Sequence, residues 1–509
     1  MSGGMTGLSG SDARAIAHGG VVNFAGGVVG AVATLLLLVL LSRGVGVTEA
    51  GLFFQAVAVV SAGAILCNLG AQITLTQRIA QRLAHDERHV GDLVWAAALP
   101  VAVGAGAAGV MVAVLHDALS MVLTSSANRG SLAPLLVAMA PALPLIALTR
   151  IVVAIPRGVG AMSPAVFYDA GGQPLLRLLL CGLVTALHGP LWMLGAAFSV
   201  AAAISLGAAV PHSLRSLHRA HGVLARRIQW TRATARDFWA ASAPRGAEEI
   251  FAATNIWVLI VLVGAIVSAD EAATYAAISR FTLAASLLMQ AITTSMAPRF
   301  TAAFSRAEHE RVRSLFRLTT QWMVGLSVPV CVTLLVFPEA LIHIVSPDLP
   351  GGAAGLRIMA VAALVSIVTG PAGGAILFAG RSVWNLWIAA CAFVVMLAVA
   401  ELAIPSGGAD GASLAWAAAM TAQSVIGYVV AKSAFGLDPF SRGATRLGIW
   451  SAILSVLTEL STRILIGGRL SGLVVGVVAA GVTLILLHAS TSWSWWRAPE
   501  SDEPDLGAP

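Results

Sequence analysis

The sequence predicts an all-α polytopic membrane protein, with about 14 transmembrane helices in two pseudo-symmetric six-helix lobes plus two C-terminal helices. Three observations carry this. The 509 residues are 58% hydrophobic and 11% charged, with a mean hydropathy of +0.87, whereas about a quarter of a soluble chain is charged. Apolar runs of the ~20 residues that cross a bilayer core recur along the whole chain. Arginine concentrates in alternate loops, as the positive-inside rule requires of a multi-pass protein.

The same composition excludes several functions. No polar segment between apolar runs exceeds about 30 residues, too short for a folding unit, so neither an aqueous catalytic domain nor enzymatic activity is expected. The 30 Lys+Arg against 24 Asp+Glu leave a net charge of +6, which reads as membrane topology rather than nucleic-acid binding. Lys432 is the only lysine, and arginine in place of lysine suggests a GC-rich bacterial genome. Cys67, Cys181, Cys331 and Cys391 each fall in an apolar stretch, where a thiol behaves as a small hydrophobe. Their spacing gives neither a disulfide framework nor a zinc site, and no metal or cofactor is expected.

The segment Met1 to Gly10 lacks the basic region of a cleaved signal and is expected to be retained in the cytoplasm. Candidate spans follow at 20–42, 50–75, 91–115, 132–155, 173–187, 190–211, 238–267, 272–297, 316–337, 353–379, 382–404, 411–432, 445–466 and 470–490. Loops after even-numbered spans carry Arg78, Arg82 and Arg88, then Arg157, a basic inter-lobe loop, Arg299 to Arg313, Arg381, and Lys432 with Arg442. Opposite loops hold little beyond Arg43, Arg129 and Arg469, and several carry acids such as Asp270, Glu271, Glu339 and Asp348. An error of one span would reverse this asymmetry, so both termini are predicted inside. Trp493, Trp495 and Trp496 form an interfacial belt before an acidic tail expected to be disordered.

This organisation divides the chain into an N-terminal lobe (1–211), a basic inter-lobe loop (212–237), a C-terminal lobe (238–432), two extra spans (433–490) and a cytoplasmic tail (491–509). The inter-lobe loop has six arginines before its first acid, Asp237. It reads as a topology determinant, or as a contact for lipid headgroups or a partner. Placing Glu49 on Glu271 is a shift of 271 − 49 = 222 residues; it also sets Phe53 on Tyr275 and Asn68 on Gln290. Each lobe then begins with an acidic outer loop leading to a span with an amide near its inner end.

Polar residues deep in a span are costly and mark candidate sites. In the first span Asn23, Gly27, Gly30 and Thr34 share one helical face. That stripe either lines a cavity or lets a second helix approach through Gly26 and Gly30. The seventh span carries Arg245, Glu248, Glu249 and Asn255, with the glutamates roughly 15 Å from the cytoplasmic end. Arg245 and Glu249 are spaced as an i, i+4 ion pair, which leaves a second acid for a transport cavity. In the eighth span Arg280 sits above a polar face of Thr282, Ser286, Gln290 and Thr293. Arginines here suit a phosphate through charge-assisted hydrogen bonds. Arg177 and Arg357 are expected to snorkel, and Glu459 and Arg463 to pair as i and i+4. Prolines such as Pro100, Pro141, Pro329 and Pro371 permit bending.

The run Leu41-Ser42-Arg43-Gly44-Val45-Gly46-Val47-Thr48-Glu49-Ala50-Gly51-Leu52-Phe53 resembles the first turn of polysaccharide flippases in the multidrug/oligosaccharidyl-lipid/polysaccharide exporter superfamily. Cys67-Asn68-Leu69-Gly70 leading to Gln77-Arg78 is similar to that family's second-helix ending, and Tyr275, Ala277, Arg280, Pro298 and Phe300 resemble its second lobe. The resemblance implies a two-lobed flippase that moves a polyprenyl-diphosphate-linked oligosaccharide to the outer leaflet of a bacterial cytoplasmic membrane by alternating access. Arg245 and Arg280 would contact the diphosphate and Arg14 would receive the headgroup, with Asn23 and Asn255 as further binding candidates. Glu248 or Glu249 would couple an ion. Membrane lipids and the pathway's glycan polymerase or glycosyltransferases are the expected partners, with no nucleic acid. The other readings are a lipid II flippase, a cation-coupled multidrug antiporter of the same superfamily, and a membrane scaffold with a decayed cavity.

Overall fold

The computed structural model describes residues 10–85, 90–161, 163–221, 231–253, 255–439, 442–466, 471–476, 478 and 481. Backbone polar groups within a bilayer must be satisfied internally, and a helix does this inside one segment. The first set of helices is α1 (Gly10–Gly44), α2 (Val47–Asn68), α3 (Ala71–Ala84), α4 (Gly91–Val114), α5 (His116–Leu123), α6 (Arg129–Met139) and α7 (Ala142–Gly158). It continues with a single turn, α8 (Ser163–Ala165), which runs into a π-helical turn (Val166–Ala170), then α9 (Gly172–Ala186) and α10 (Leu191–His221). The second set is α11 (Arg232–Ala253), α12 (Asn255–Ile266), α13 (Ala269–Ser305), α14 (His309–Val336), α15 (Pro338–Val345), α16 (Ala353–Val368), α17 (Ala372–Phe378) and α18 (Ser382–Phe435). A further helix, α19 (Arg442–Ile466), packs on α14. Among the described residues, eight helical stretches are long and apolar enough to cross a membrane, or nine when the bent pair α16 and α17 counts as one span. The protein is an all-helical, multi-pass membrane protein.

Several boundaries differ from the sequence pattern, each with a local cause. The predicted span 50–75 breaks between α2 and α3, where Leu69 and Gly70 are left-handed with φ 42° and 70°. Gly70 also faces α11 so closely that a Cβ would lie 2.7 Å from the Gly246 nitrogen, so a side chain is excluded there by both conformation and space. By contrast, the predicted spans 382–404 and 411–432 are the two arms of the 54-residue α18, broken at Gly408 with φ 50° and ψ −126°, inside the predicted gap. The segment 212–221, expected as loop, continues α10 as helix. A bend of 46° separates α16 from α17 at Pro371, whose ring cannot continue the backbone ladder.

The 222-residue shift reappears in the helix ends. α1 matches the combined extent of α11 and α12 (232 − 10 and 266 − 44), and α13 starts 269 − 47 residues after α2. The ends of α4 and α14 differ by 336 − 114, and α5 matches α15 at both ends (338 − 116 and 345 − 123). Even the Gly408 kink lies 408 − 186 residues beyond the end of α9. Weak residue identity therefore conceals a repeat in the position of these helix ends.

At the centre α2 packs along α13, and Phe53, Phe54 and Tyr275 are fully buried there. The largest apolar cluster draws on both sets of helices. Ser268 caps α13, accepting a hydrogen bond from the Glu271 N–H at 3.2 Å. Asp270 and Glu271 in the first turn complement the positive end of the helix.

Candidate functional site

The small-residue stripe of α1 is a packing surface. A Cβ at Gly26 would lie 2.3 Å from Val166, and one at Gly30 would lie 1.9 Å from the Ala170 carbonyl oxygen. Both neighbours belong to the π turn, so α1 lies directly on it. Gly27 meets only Leu287, at 3.6 Å from an added Cβ, and Thr34 donates to its own helix at the Gly30 carbonyl, 2.8 Å away. The side chains of Arg14 and Asn23 on α1, and of Arg245 on α11, lie outside the described residues.

Next to the π turn is a charged network shared between the two sets of helices. Gln72 on α3 donates to Glu249 Oε1 at 2.9 Å, and Arg150 on α7 stands 3.7 Å from the same oxygen. Glu249 Oε2 is buried without a described hydrogen-bond partner. Asp169, in the π turn, lies close enough to act electrostatically on both Glu249 and Arg177. Glu249 is therefore bonded to the first set of helices, and its expected pairing with Arg245 lies outside the described residues. Glu248 turns the other way and hydrogen-bonds Asn385, whose amide donates to the Gly373 carbonyl at 2.9 Å. The two adjacent glutamates of α11 thus hold opposite sides of the molecule.

Arg177 does not snorkel. Its Nη2 donates to Gln173 Oε1 at 2.7 Å, its guanidinium lies 4.0 Å from the Phe198 ring centroid, and its Nε is buried. Sequence analysis missed Gln72, Arg150 and Asp169. The available signal was that each is an ionisable or amide group within or beside an apolar run of the first lobe.

Arg280 is 6% exposed and enclosed between the rings of Phe54 on α2 and Trp257 on α12, at 5.5 and 5.1 Å. Its Nη1 reaches Ser279 Oγ at 3.3 Å, while Nε and Nη2 are buried without a described partner. The carbonyl oxygen of the Asn255 side chain is likewise buried without one. The polar face expected below Arg280 is largely self-satisfied: Thr282, Ser286 and Thr293 each donate to a carbonyl four residues back.

On the side predicted to be outer, the two sets are tied together again. Arg43 donates to the carbonyls of His343, Ile344 and Val345, the C-terminal end of α15, at 3.0, 2.7 and 3.0 Å. A cation at that end also meets the negative pole of the helix. Glu271 accepts from the Ala409 N–H at 2.8 Å, beside the Gly408 kink. The expected Glu459–Arg463 pair does not form: Glu459 accepts from Thr333 at 2.9 Å, and Arg463 turns to Glu339 and the Val336 carbonyl. The reason is tertiary, since α14 and α15 offer both groups better partners than their own helix does.

A multi-pass bundle with buried charges bridging two repeated sets of helices defines a membrane transporter. The family model described as "polysaccharide biosynthesis protein" matches residues 16–304, more than half of the chain, and the MatE model matches residues 249–402. The chain belongs to the polysaccharide biosynthesis protein family of the exporter superfamily named above, whose members are transporters and flippases rather than enzymes. No curated protein matches the sequence. Among solved structures, the lipid II flippase MurJ in an inward closed conformation is similar over 92% of this chain and 99% of its own, with TM-score 0.68 at 12% identity. An inward-facing multidrug resistance MATE transporter covers 82% of this chain and 98% of its own, with TM-score 0.65 at 12% identity. A transporter of the same superfamily from Pyrococcus furiosus covers 83% and 96%, with TM-score 0.60 at 12% identity. At these identities the likeness is one of fold.

Proposed function

We infer that the chain flips a polyprenyl-diphosphate-linked oligosaccharide from the cytoplasmic to the outer leaflet of a bacterial cytoplasmic membrane, for assembly of a cell-surface polysaccharide. Both termini are cytoplasmic in this reading, and the lobes are 1–211 and 238–432. The observation that carries it is that the family match at 16–304 contains every member of the bridging network: Gln72, Arg150, Asp169, Arg177 and Glu249, with Arg280 above them. A diphosphate with a hydrophilic glycan cannot cross hydrocarbon unaided, because burying its charges without partners costs several kcal/mol or more. An interlobe site replaces the lost water while the polyprenyl tail stays in lipid.

The residues divide the work by charge. Arg14 receives the headgroup at the cytoplasmic side, and Arg245 with Arg280 contacts the diphosphate, flanked by Asn23 and Asn255. Glu248 and Glu249 are the ion-coupling pair. A diphosphate arriving near Arg150 competes with Glu249 for that guanidinium, so substrate binding loosens an interlobe bond. The aromatic enclosure of Arg280 opens when Phe54 on α2 moves away from α13, presenting its free N–H donors to the headgroup.

The test is mass spectrometry of lipid-linked saccharides after depletion of the protein from its host. One polyprenyl-diphosphate glycan should accumulate, protected from an external glycosidase, and Arg280→Gln should reproduce the build-up with normal membrane insertion. An unchanged lipid-linked pool overturns the reading. A lipid II cargo is the second reading, supported by the MurJ-like fold over 92% of this chain; the identity of the accumulated glycan separates the two.

A further inference from the structure

A furrow of about 710 Å³ runs between α16 and α18, away from the interlobe network. Ala362 and Ala417 are buried at its floor, while Val361, Leu414 and Val425 stand exposed along its walls. The cause is sequence spacing. Leu414, Ala418, Ala422 and Val425 follow at steps of four, four and three on α18, one helical face, and the alanines in the middle leave a depression. From Leu414 to Val425 the furrow extends roughly 16 Å along the helix, about half of a bilayer core. Within a membrane such an apolar trough fits a hydrocarbon chain.

Its only charged lining residue is Arg357, four residues into α16 and so roughly 6 Å from the start of that helix. Arg357 donates to Glu339 and to the Leu335 carbonyl. Glu339 also pairs with Arg463 on α19, at 3.7 Å. Two guanidinium groups therefore share one carboxylate, and this described cluster retains a net positive charge at the mouth of the trough. A cation at headgroup depth above an apolar slot matches a lipid with an anionic phosphate head.

We propose that this furrow binds an anionic glycerophospholipid, its acyl chain lying between α16 and α18 and its phosphate at Arg357. The leaflet is the one on the α15 side, outer by the arginine asymmetry. Because α15 also receives Arg43 from α1, the bound lipid braces the element on which the outer contact between the two sets of helices rests. The site is independent of the cargo assigned above and stands if that assignment fails.

The probe is dioleoyl phosphatidylglycerol, offered to the purified full chain in mixed micelles with an equal amount of dioleoyl phosphatidylcholine, with bound lipid counted by native mass spectrometry. One excess positive charge near the surface is worth about 1 kcal/mol toward an anionic lipid, about a five-fold preference. Arg357→Gln should abolish that preference, and Ala418→Trp should lower the number of lipids of either kind retained. Glu339→Gln removes the competing carboxylate and should raise the preference above that of the unaltered chain, which keeps the test decisive if another variant fails to fold. An unchanged preference in Arg357→Gln, or a fall in Glu339→Gln, overturns the proposal. So does displacement of the glycerophospholipid by an equimolar polyprenyl phosphate, which would make the furrow a tail site for the cargo.

Discussion

Thr48 Oγ1 donates to Asp270 Oδ1 at 2.6 Å across 222 residues of sequence. That separation is the offset at which the helix ends repeat, so the two residues occupy equivalent positions in the two sets of helices. Equivalent positions touch only where a pseudo-twofold axis passes between them. Here it passes through the paired starts of α2 and α13, where Gly51 lies so close to Ala269 that a Cβ would stand 1.9 Å from its carbonyl oxygen. This contact therefore lies on the symmetry axis between the two sets of helices.

Arg43 sits beside that axis and holds α15 by three carbonyls. Replacing it with glutamine removes charge-assisted bonds worth about 1.5–3 kcal/mol each at most, so the outer contact should open about ten-fold more often. The readout is the rate at which a cysteine at Ser346 reacts with a membrane-impermeant maleimide. An unchanged rate would mean that the outer contact is held elsewhere.

Glu249 and Arg150 should behave as a coupled pair. Glu249→Gln and Arg150→Gln are each expected to reduce glycan export strongly, and the double variant should be no worse than either alone. Neighbours that share a contact are non-additive by about 0.5–3 kcal/mol. Strictly additive losses in export, measured at equal protein level, would show that the two residues act separately.

The glycines of α1 give a paired prediction on stability. Gly30→Ala places a Cβ 1.9 Å from the Ala170 carbonyl oxygen, whereas Gly27→Ala meets Leu287 at 3.6 Å, an ordinary contact. Overpacking of this kind costs about 1–3 kcal/mol, so Gly30→Ala should lower the Tm in detergent by several degrees while Gly27→Ala leaves it in place. Equal Tm values for the two variants would remove the π turn from against α1.

Why some of this was legible in the sequence and some was not follows from the range of each signal. Hydrophobic runs and loop arginines are local, and they predict the all-helical multi-pass fold, while the 222-residue register rests on placing Glu49 on Glu271. The span break at Gly70 depends on φ and on a crossing backbone, which hydropathy does not register, whereas the break at Gly408 falls between two predicted spans. The same limit governs the site. Helical spacing offered Arg463 for Glu459, because i, i+4 arithmetic sees only one helix, and it gave no sign of Arg150 or Gln72 beside Glu249. The described partners, Arg150 and Gln72 for Glu249 and Thr333 for Glu459, come from other helices, and only the fold brings them together. Gly26 and Gly30 admitted two readings until the π turn was seen to fill the space beside them.

Glu339 makes the α15 side of the molecule pH-dependent in a defined direction. Burial on its own would raise its carboxyl, but its own backbone N–H, the Arg357 hydrogen bond and the charges of Arg357 and Arg463 outweigh that, and the group is held below the ordinary glutamate range. A carboxylate whose folded value is depressed stabilises the folded state fully above its unfolded value, about 4.3, and loses that contribution as pH falls through the lower folded value. The carboxylate is half exposed, so the contribution is small and screened by salt. Its signature is a difference: the unaltered chain should exceed Glu339→Gln in Tm at neutral pH, and the gap should begin to narrow as pH falls below about 4.3 and close once pH passes the lower folded value, when both side chains are neutral. High salt at neutral pH should narrow the same gap without closing it. A gap that stays constant from neutral to acid pH would show that Glu339 is held by shape rather than by its charge.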